Sequence, residues 1–191
     1  MLILASTSSW RRKMLESAGL AVTCVDPGVD EDALVEVDPV RRASRLAAAK
    51  AEAVAVGREH QWVIGADQVV HLHGEVFGKP RDPADHLARL RSMRGRHHEL
   101  VTGWALRGPG APGDGVVVTT MRVRADLTDQ ELSDYVATGE GAGCAGGYMA
   151  EAQGAFLFEA VDGDWFNIVG LPLFELMTAL RARGWRFGGW R

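Results

Sequence analysis

Four consecutive small residues at positions 6–9, three serines and a threonine, stand between an apolar run and two arginines. The apolar residues 2–5 predict a buried strand, and the stretch from Trp10 onward predicts the start of a helix. A helix start presents free backbone N–H groups and the positive end of the helix dipole, which together attract anions. Arg11 and Arg12 add cations suited to phosphate oxygens, so this turn is a candidate phosphate site.

Three further residues have types suited to chemistry on a phosphate chain: Asp67, Lys50 and Lys79. Asp67 follows the apolar residues 63–66, and α/β sheets usually place ligands at the carboxyl ends of their strands. We expect Asp67 to bind a metal ion or to act as general base for water, although an Asp that only forms a turn fits the same pattern. Lys79 in a Gly-Lys-Pro turn and Lys50 among alanines are candidate phosphate-binding cations, although solvated lysines are the simpler interpretation.

Other polar motifs carry less information. No histidine has a third ligand at metal spacing, and the glycine-rich residues 141–147 lack the Lys-Ser or Lys-Thr of a P-loop. Cys24 and Cys144 are far apart and predict reduced thiols, most simply small buried residues. Disulfide or structural-metal chemistry is therefore not expected.

The composition excludes several classes of function. The 191 residues, with 47% hydrophobic content, are enough for an apolar core, and the net charge of −4 argues against a general nucleic-acid surface. No apolar run approaches the ~20 residues that span a bilayer, and the N-terminus does not resemble a signal peptide. We expect a cytoplasmic protein that binds neither nucleic acid nor membrane.

Strand and helix patterns alternate along the chain, which predicts an α/β fold. Helices are predicted after Asp38, after Asp82 and after the capping-box sequence that begins at Thr128. Strands are predicted at residues 21–25, 62–66, 99–106 and 116–124, around position 156, and in a hairpin at 69–77. Residues 108–115 are rich in glycine and proline and predict a surface loop, and the last helix is predicted to start at residues 171–172.

Seven short motifs, in order along the chain, resemble those of the Maf family of nucleoside triphosphate pyrophosphatases. They are residues 4–12, 29–31, 48–51, 64–69, 78–82, 144–146 and 169–173. The resemblance extends from position 2 to about position 184. It implies one domain over residues 1–191 with an elongated, two-lobed Maf/ITPase-like α/β fold, a central mixed sheet and a cleft between the lobes.

The resemblance also implies a reaction and a set of roles. The reaction is the hydrolysis of a nucleoside triphosphate to the monophosphate and pyrophosphate, assisted by a divalent cation (Mg²⁺, Mn²⁺ or Co²⁺). Asp67 is implied as the catalytic carboxylate and Glu31 as its neighbour at the metal. The phosphates are implied to lie against Ser8, Arg11, Lys50 and Lys79. The only partner implied besides the nucleotide is a second copy of the chain, as a homodimer.

Three positions bear on the choice of base. Maf proteins that act on dTTP and UTP usually have Arg, Thr and Gln where this chain has Trp10, Gln68 and Glu151. The present residues resemble those of the subfamily that hydrolyses 7-methyl-GTP. A Trp ring stabilises a cationic 7-methylguanine, a Glu carboxylate accepts from its N1–H and amino group, and Gln68 can donate or accept beside it. If the alignment shifts by two residues, Gln153 replaces Glu151 and the pyrimidine interpretation is favoured.

The first hypothesis is therefore a 7-methyl-GTP pyrophosphatase, and the alternative is a dTTP/UTP pyrophosphatase of the same family. A third hypothesis is a nucleotide-binding regulator of septum formation that does little chemistry. The combination of Asp67, Lys50 and Lys79 argues for an enzyme rather than a regulator.

Overall fold

The structure, a computed structural model, describes residues 2–190 and contains a central mixed sheet of seven strands. The strands of this sheet are β1 (Leu2–Leu4), β2 (Val22–Cys24), β3 (Trp62–Leu72), β4 (Glu75–Phe77), β5 (His97–Arg107), β6 (Gly113–Val123) and β7 (Phe158–Asp162). Their order across the sheet is β2-β1-β3-β5-β6-β7, with β4 also paired to β3. β1 is parallel to both of its neighbours and the other pairs are antiparallel. The predicted α/β class with a mixed sheet is confirmed.

The helices are α1 (Ser9–Ser17), α2 (Pro39–Ala55), α3 (Pro83–Met93), α4 (Asp129–Ala137), α5 (Trp165–Ile168) and α6 (Leu173–Ala182). Side-chain caps fix several of their starts, as the sequence predicts. Asp38 and Asp82 accept backbone N–H bonds at the starts of α2 and α3, and Thr128 with Glu131 forms the capping box of α4. A short hairpin of β8 (Trp185–Arg186) and β9 (Gly189–Trp190) follows α6.

β3 is a continuous strand whose outer edge is divided between two partners. Its first residues pair with β1 and its last residues with β4, while β5 pairs along the opposite edge. The prediction that the strand ends before Asp67 is wrong, because Asp67 lies in the middle of β3, opposite Gly103. The edge of β3 around Asp67 is thus uncovered between the end of β1 and the end of β4, which runs antiparallel to β3.

Helix α2 packs directly on one face of the sheet at two glycines. A Cβ atom on Gly65 would lie 2.2 Å from the Ala47 carbonyl oxygen, and one on Gly103 would lie 2.3 Å from the Ala43 carbonyl oxygen. Only glycine permits so close a backbone approach. α2 is therefore held near the strand that carries Asp67.

The other face of the sheet is covered by two apolar clusters that divide along β3. Trp62, Ile64 and Ala66 belong to the cluster that includes residues of α1 and α6. Val70 and Leu72 belong to the cluster that includes residues of α3 and α4. Gln68 lies on the same face of the strand, between the two groups, where the polar side chain separates the apolar clusters.

Several sequence predictions need correction. The loop between β5 and β6 is shorter than residues 108–115, because β6 already begins at Gly113. Phe156 lies in a 3₁₀ helix (Gln153–Leu157), and the strand β7 begins only after it. Neither cysteine is fully buried, since Cys24 is exposed on β2 and Cys144 is half-buried in a loop. Over residues 2–190, no helix is both long and apolar enough to cross a bilayer.

Buried His98 makes the fold sensitive to acid. Its ring is 1% exposed, Nε2 lies 2.5 Å from the Tyr148 hydroxyl, and burial lowers the pKa of His98 to about 4. The His98 ring binds a proton more tightly in the unfolded chain than in the folded one. The contribution of neutral, buried His98 to stability is therefore present above pH ~6.5 and is lost towards pH 4. We expect about 3 kcal/mol of the free energy of unfolding to disappear over this interval.

Denaturant unfolding between pH 7 and pH 4 tests this expectation with the His98→Gln variant. The variant should show a smaller loss of stability on acidification than the unmodified chain. Exposed His60 provides the control, and His60→Gln should keep the original pH dependence. If all three proteins lost the same free energy of unfolding between pH 7 and pH 4, the assignment to His98 would be contradicted.

Candidate active site

A cavity of about 530 Å³ opens at the uncovered edge of β3. Nine of the side chains singled out in the sequence line it: Ser8, Trp10, Arg11, Glu31, Lys50, Asp67, Gln68, Lys79 and Glu151. Arg12 does not, and pairs instead with Glu16 at 2.8 Å on the surface of α1. The nine come from the β1–α1 turn, α1, the loop before α2, α2 itself, β3, and the loops after β4 and α4. Segments distant in sequence therefore meet where the sheet edge is open.

Lys50 lies between two carboxylates in the wall of this cavity. Its ammonium nitrogen is 2.6 Å from Oδ1 of Asp67 and 2.7 Å from Oε1 of Glu31. Lys50 and Asp67 are 6% and 7% exposed, whereas Glu31 is on the surface. A buried carboxylate needs a partner of opposite charge, and Lys50 supplies it from the helix that packs on Gly65.

Arg11 is fixed by backbone carbonyls rather than by carboxylates. Its Nε donates to the Gly170 carbonyl at 2.9 Å, and Nη1 donates to the Ala66 carbonyl at 3.0 Å on β3. Burial lowers the pKa of the Arg11 guanidinium, and the charges of Asp67 and Glu31 oppose this shift. N–H groups of the guanidinium remain for a phosphate oxygen beside Asp67.

The hydroxyl-rich turn shapes the start of α1. Ser8 is the N-cap, with its Oγ accepting the Arg11 backbone N–H at 3.3 Å. Ser6 Oγ in turn accepts the Ser8 N–H at 3.2 Å. These bonds hold the first turn of the helix against the cavity.

Gln68 points to the opposite face of β3 from Asp67, into a polar network. Its Nε2 donates to the backbone carbonyl of Asn167 at 2.5 Å and to the Thr102 hydroxyl at 3.0 Å. Both amide hydrogens are thus used, and the carbonyl oxygen is the group left to face a ligand. Asn167, which the sequence analysis missed, is fully buried and also donates to strand atoms of β5 and β6.

The base-side candidates lie on the more open wall. Trp10 is 43% exposed on α1, and the Lys13 ammonium lies 5.4 Å from its ring centroid. Glu151 lines the cavity, whereas Gln153 starts the 3₁₀ helix outside its lining. The structure thus places Glu151 rather than Gln153 at this wall.

Cys144 lies between the phosphate-side and base-side candidates. Burial raises the pKa of the Cys144 thiol, Glu151 raises it further, and Lys79 lowers it. Lys79, Cys144 and Glu151 all line the same cavity. The thiol itself stays protonated at neutral pH.

Comparison with known proteins connects this arrangement to a family. The model of the family described as Maf-like protein matches residues 1–183. The chain belongs to the Maf family. Beyond it, the Ham1 protein of Staphylococcus aureus is a structural neighbour with a TM-score of 0.46 and 17% identity, over 65% of this chain and 72% of that one.

Three relatives of this Maf protein cover nearly its whole length. A protein of Thermus thermophilus named dTTP/UTP pyrophosphatase is 41% identical over 97% of this chain and 96% of the relative. A protein of Synechococcus named nucleoside triphosphate pyrophosphatase is 41% identical over 91% of this chain and 95% of the relative. A Geobacter protein, also named dTTP/UTP pyrophosphatase, is 38% identical over 96% of this chain and 95% of the relative.

Proposed function

We propose that this Maf protein hydrolyses a nucleoside triphosphate to the monophosphate and pyrophosphate, with Asp67 as general base. The observation that carries the proposal is a single buried carboxylate in a cavity that also holds the cations of Arg11, Lys50 and Lys79. Phosphoryl transfer depends on charges fixed in place before the reaction begins, together with a group that orients water. The names of the relatives support the same reaction.

Each step of this reaction has a residue of the chain assigned to it. Arg11 and Lys79 would bind the triphosphate, and Ser8 would hold a phosphate oxygen at the start of α1. Asp67 would accept a proton from water as the water oxygen bonds to the α-phosphorus. The anhydride bond between the α- and β-phosphates breaks, and pyrophosphate leaves with the bridging oxygen. Lys50 would hold the Asp67 carboxylate in position through their 2.6 Å ion pair.

The donor set around Lys50 fits a divalent cation. Lys50 contacts one oxygen of each carboxylate, Oδ1 of Asp67 and Oε1 of Glu31, which leaves the other oxygen of each to hold a single Mg²⁺, Mn²⁺ or Co²⁺ together with phosphate oxygens. Within residues 2–190 no group of three or more His, Cys, Asp and Glu residues forms a metal site. The bound cation would supply charge stabilisation for the phosphate oxygens.

The names of relatives and the residues of the pocket favour different bases. The dTTP/UTP names of the Thermus and Geobacter relatives favour the pyrimidine alternative over 7-methyl-GTP. The side chains of this chain favour 7-methyl-GTP, because Glu151 and the Gln68 carbonyl are both acceptors. Guanine presents N1–H and an amino group as neighbouring donors, whereas a pyrimidine imide has one N–H between two carbonyls. We propose 7-methyl-GTP as the substrate, with dTTP and UTP as the alternative.

Pyrophosphate release from 7-methyl-GTP, GTP, UTP and dTTP tests both the proposed reaction and the proposed choice of base. The double variant Trp10→Arg with Glu151→Gln should shift the ratio of kcat/KM values towards pyrimidines by on the order of 10²-fold, because it removes a cation–π contact and a charge-assisted pair. Gln153→Ala, outside the cavity lining, is the control and should keep the original preference. Preference of the unmodified chain for dTTP and UTP would establish the alternative.

A further inference from the structure

Two loops form the wall of the cavity across from β3. One contains Gly78 and Lys79, and the other spans residues 143–151 and ends at Glu151. The first loop carries a proposed phosphate ligand and the second a proposed base ligand. They are more than 60 residues apart in sequence, and helix α3 lies behind both without lining the cavity.

Arg89 of α3 joins these two loops directly. Its Nη1 donates to the Gly78 carbonyl and, at 2.6 Å, to the Ala145 carbonyl. Nη2 donates to Asp85 at 3.2 Å, and the guanidinium lies over the Phe77 ring, 5.2 Å from its centroid. With a side chain that is only 9% exposed, Arg89 is held on all sides.

His86, one turn before Arg89, reinforces the second loop. Its ring is 2% exposed, and Nε2 is hydrogen-bonded to the Gly147 carbonyl. A Cβ atom on Gly147 would lie 3.0 Å from this ring, so the loop passes close over α3. The same face of one helix therefore anchors the second loop twice and the first loop once.

We propose that Arg89 is a positioning residue that sets the location of Lys79 relative to the base-binding loop. This inference rests on the proposed function, because it gives Arg89 the role of fixing the distance between the side chains proposed to bind the phosphates and those proposed to bind the base. Both carbonyls accept from Nη1, while Nη2 pairs with Asp85 and the guanidinium plane covers the Phe77 ring, a combination that the compact ammonium of lysine cannot reproduce. Loss of this link would let both loops move while the sheet and Asp67 stay in place.

Steady-state kinetics of Arg89→Met and Lys79→Ala, singly and together, test the proposal. We expect Arg89→Met to lower kcat/KM by about 10- to 100-fold, mainly through a higher KM, because misplaced binding groups weaken substrate positioning. In the double variant the loss should be smaller than the product of the two single losses, because part of the effect of Arg89 is exerted through Lys79. The ratio of kcat/KM values between preferred and disfavoured bases should also fall in Arg89→Met and stay unchanged in Lys79→Ala.

Arg91 on the same helix provides the matched control. It pairs with Asp129 at 2.9 Å on the surface, so Arg91→Met should retain the original kinetics. Arg89→Lys keeps the charge but loses the planar group that pairs with Asp85 and covers the Phe77 ring, so we expect an intermediate KM. If Arg89→Met does not fold, Arg89→Lys decides the question.

The outcomes separate the inference from the proposed function. Activity that depends on Asp67, together with fully additive effects of Arg89→Met and Lys79→Ala, would overturn the role of Arg89 alone. Kinetics of Arg89→Lys equal to those of the unmodified chain would also overturn the role of Arg89. If the unmodified chain released no pyrophosphate from any nucleotide, the proposed function itself would fail.

Discussion

Replacing Asp67 with asparagine is expected to reduce pyrophosphate release by about three orders of magnitude, within the 10²–10⁴-fold range typical of a general base. The amide has nearly the same shape as the carboxylate but cannot accept a proton from water. Lys50 keeps Glu31 as a partner at 2.7 Å, so the ammonium is not left unpaired. Turnover with 7-methyl-GTP and UTP, measured beside a thermal melt, checks the effect on activity against the effect on stability.

Asp114 provides a matched control for this substitution. It pairs with Arg107 at 2.9 Å on the surface of the sheet, so Asp114→Asn should leave turnover unchanged. Nucleotide binding by Asp67→Asn, measured by calorimetry, should persist, which would show that the substitution removes turnover rather than binding. Turnover within threefold of the unmodified chain in Asp67→Asn would exclude Asp67 as the base.

Gly65→Ala is expected to lower the free energy of unfolding by about 3 kcal/mol, at the upper end of overpacking costs. The added methyl group would meet the Ala47 carbonyl oxygen at 2.2 Å and the Ala51 nitrogen at 2.7 Å. Since both contacts are backbone atoms of α2, relief requires the whole helix to move outward. Lys50 lies on that helix, so activity below the melting temperature should fall as well.

Gly143 offers the comparison for this prediction, because a Cβ atom there would meet nothing within 4 Å. Gly143→Ala should change the free energy of unfolding little, and urea denaturation of both variants measures the difference. Equal stabilities would show that the sheet accommodates the methyl group without displacing α2. The contact between Lys50 and Asp67 would then not depend on glycine at position 65.

The sequence predicts best those features that are encoded locally. Helix starts follow from side-chain caps, and Asp38, Asp82 and Thr128 occupy the predicted positions. The alternation of strands and helices likewise predicts the α/β class. Eight of the nine candidate site residues lie in short motifs, whereas Glu151 lies outside them and entered only through the resemblance to the 7-methyl-GTP subfamily.

Features that depend on tertiary contacts were not predictable. The polar pair Asp67–Gln68 suggested the end of a strand, but β5 supplies hydrogen-bond partners along the whole of β3 and the strand continues. The ion pairs of Lys50 join three segments, and no spacing in the sequence indicates them. Arg89 and Asn167 act through backbone carbonyls, which any residue provides, so their sequence neighbours give no signal.

The bond between Arg11 and Gly170 has a consequence for the newly made chain. The two residues are 159 positions apart, so Arg11 is synthesised long before its carbonyl acceptor. At ~5–20 residues per second, translation separates them by roughly 10–30 s. During that interval Arg11 has only one of its two backbone acceptors, the Ala66 carbonyl. The arginine proposed to bind phosphate therefore reaches its final arrangement only after the segment before α6 has been made.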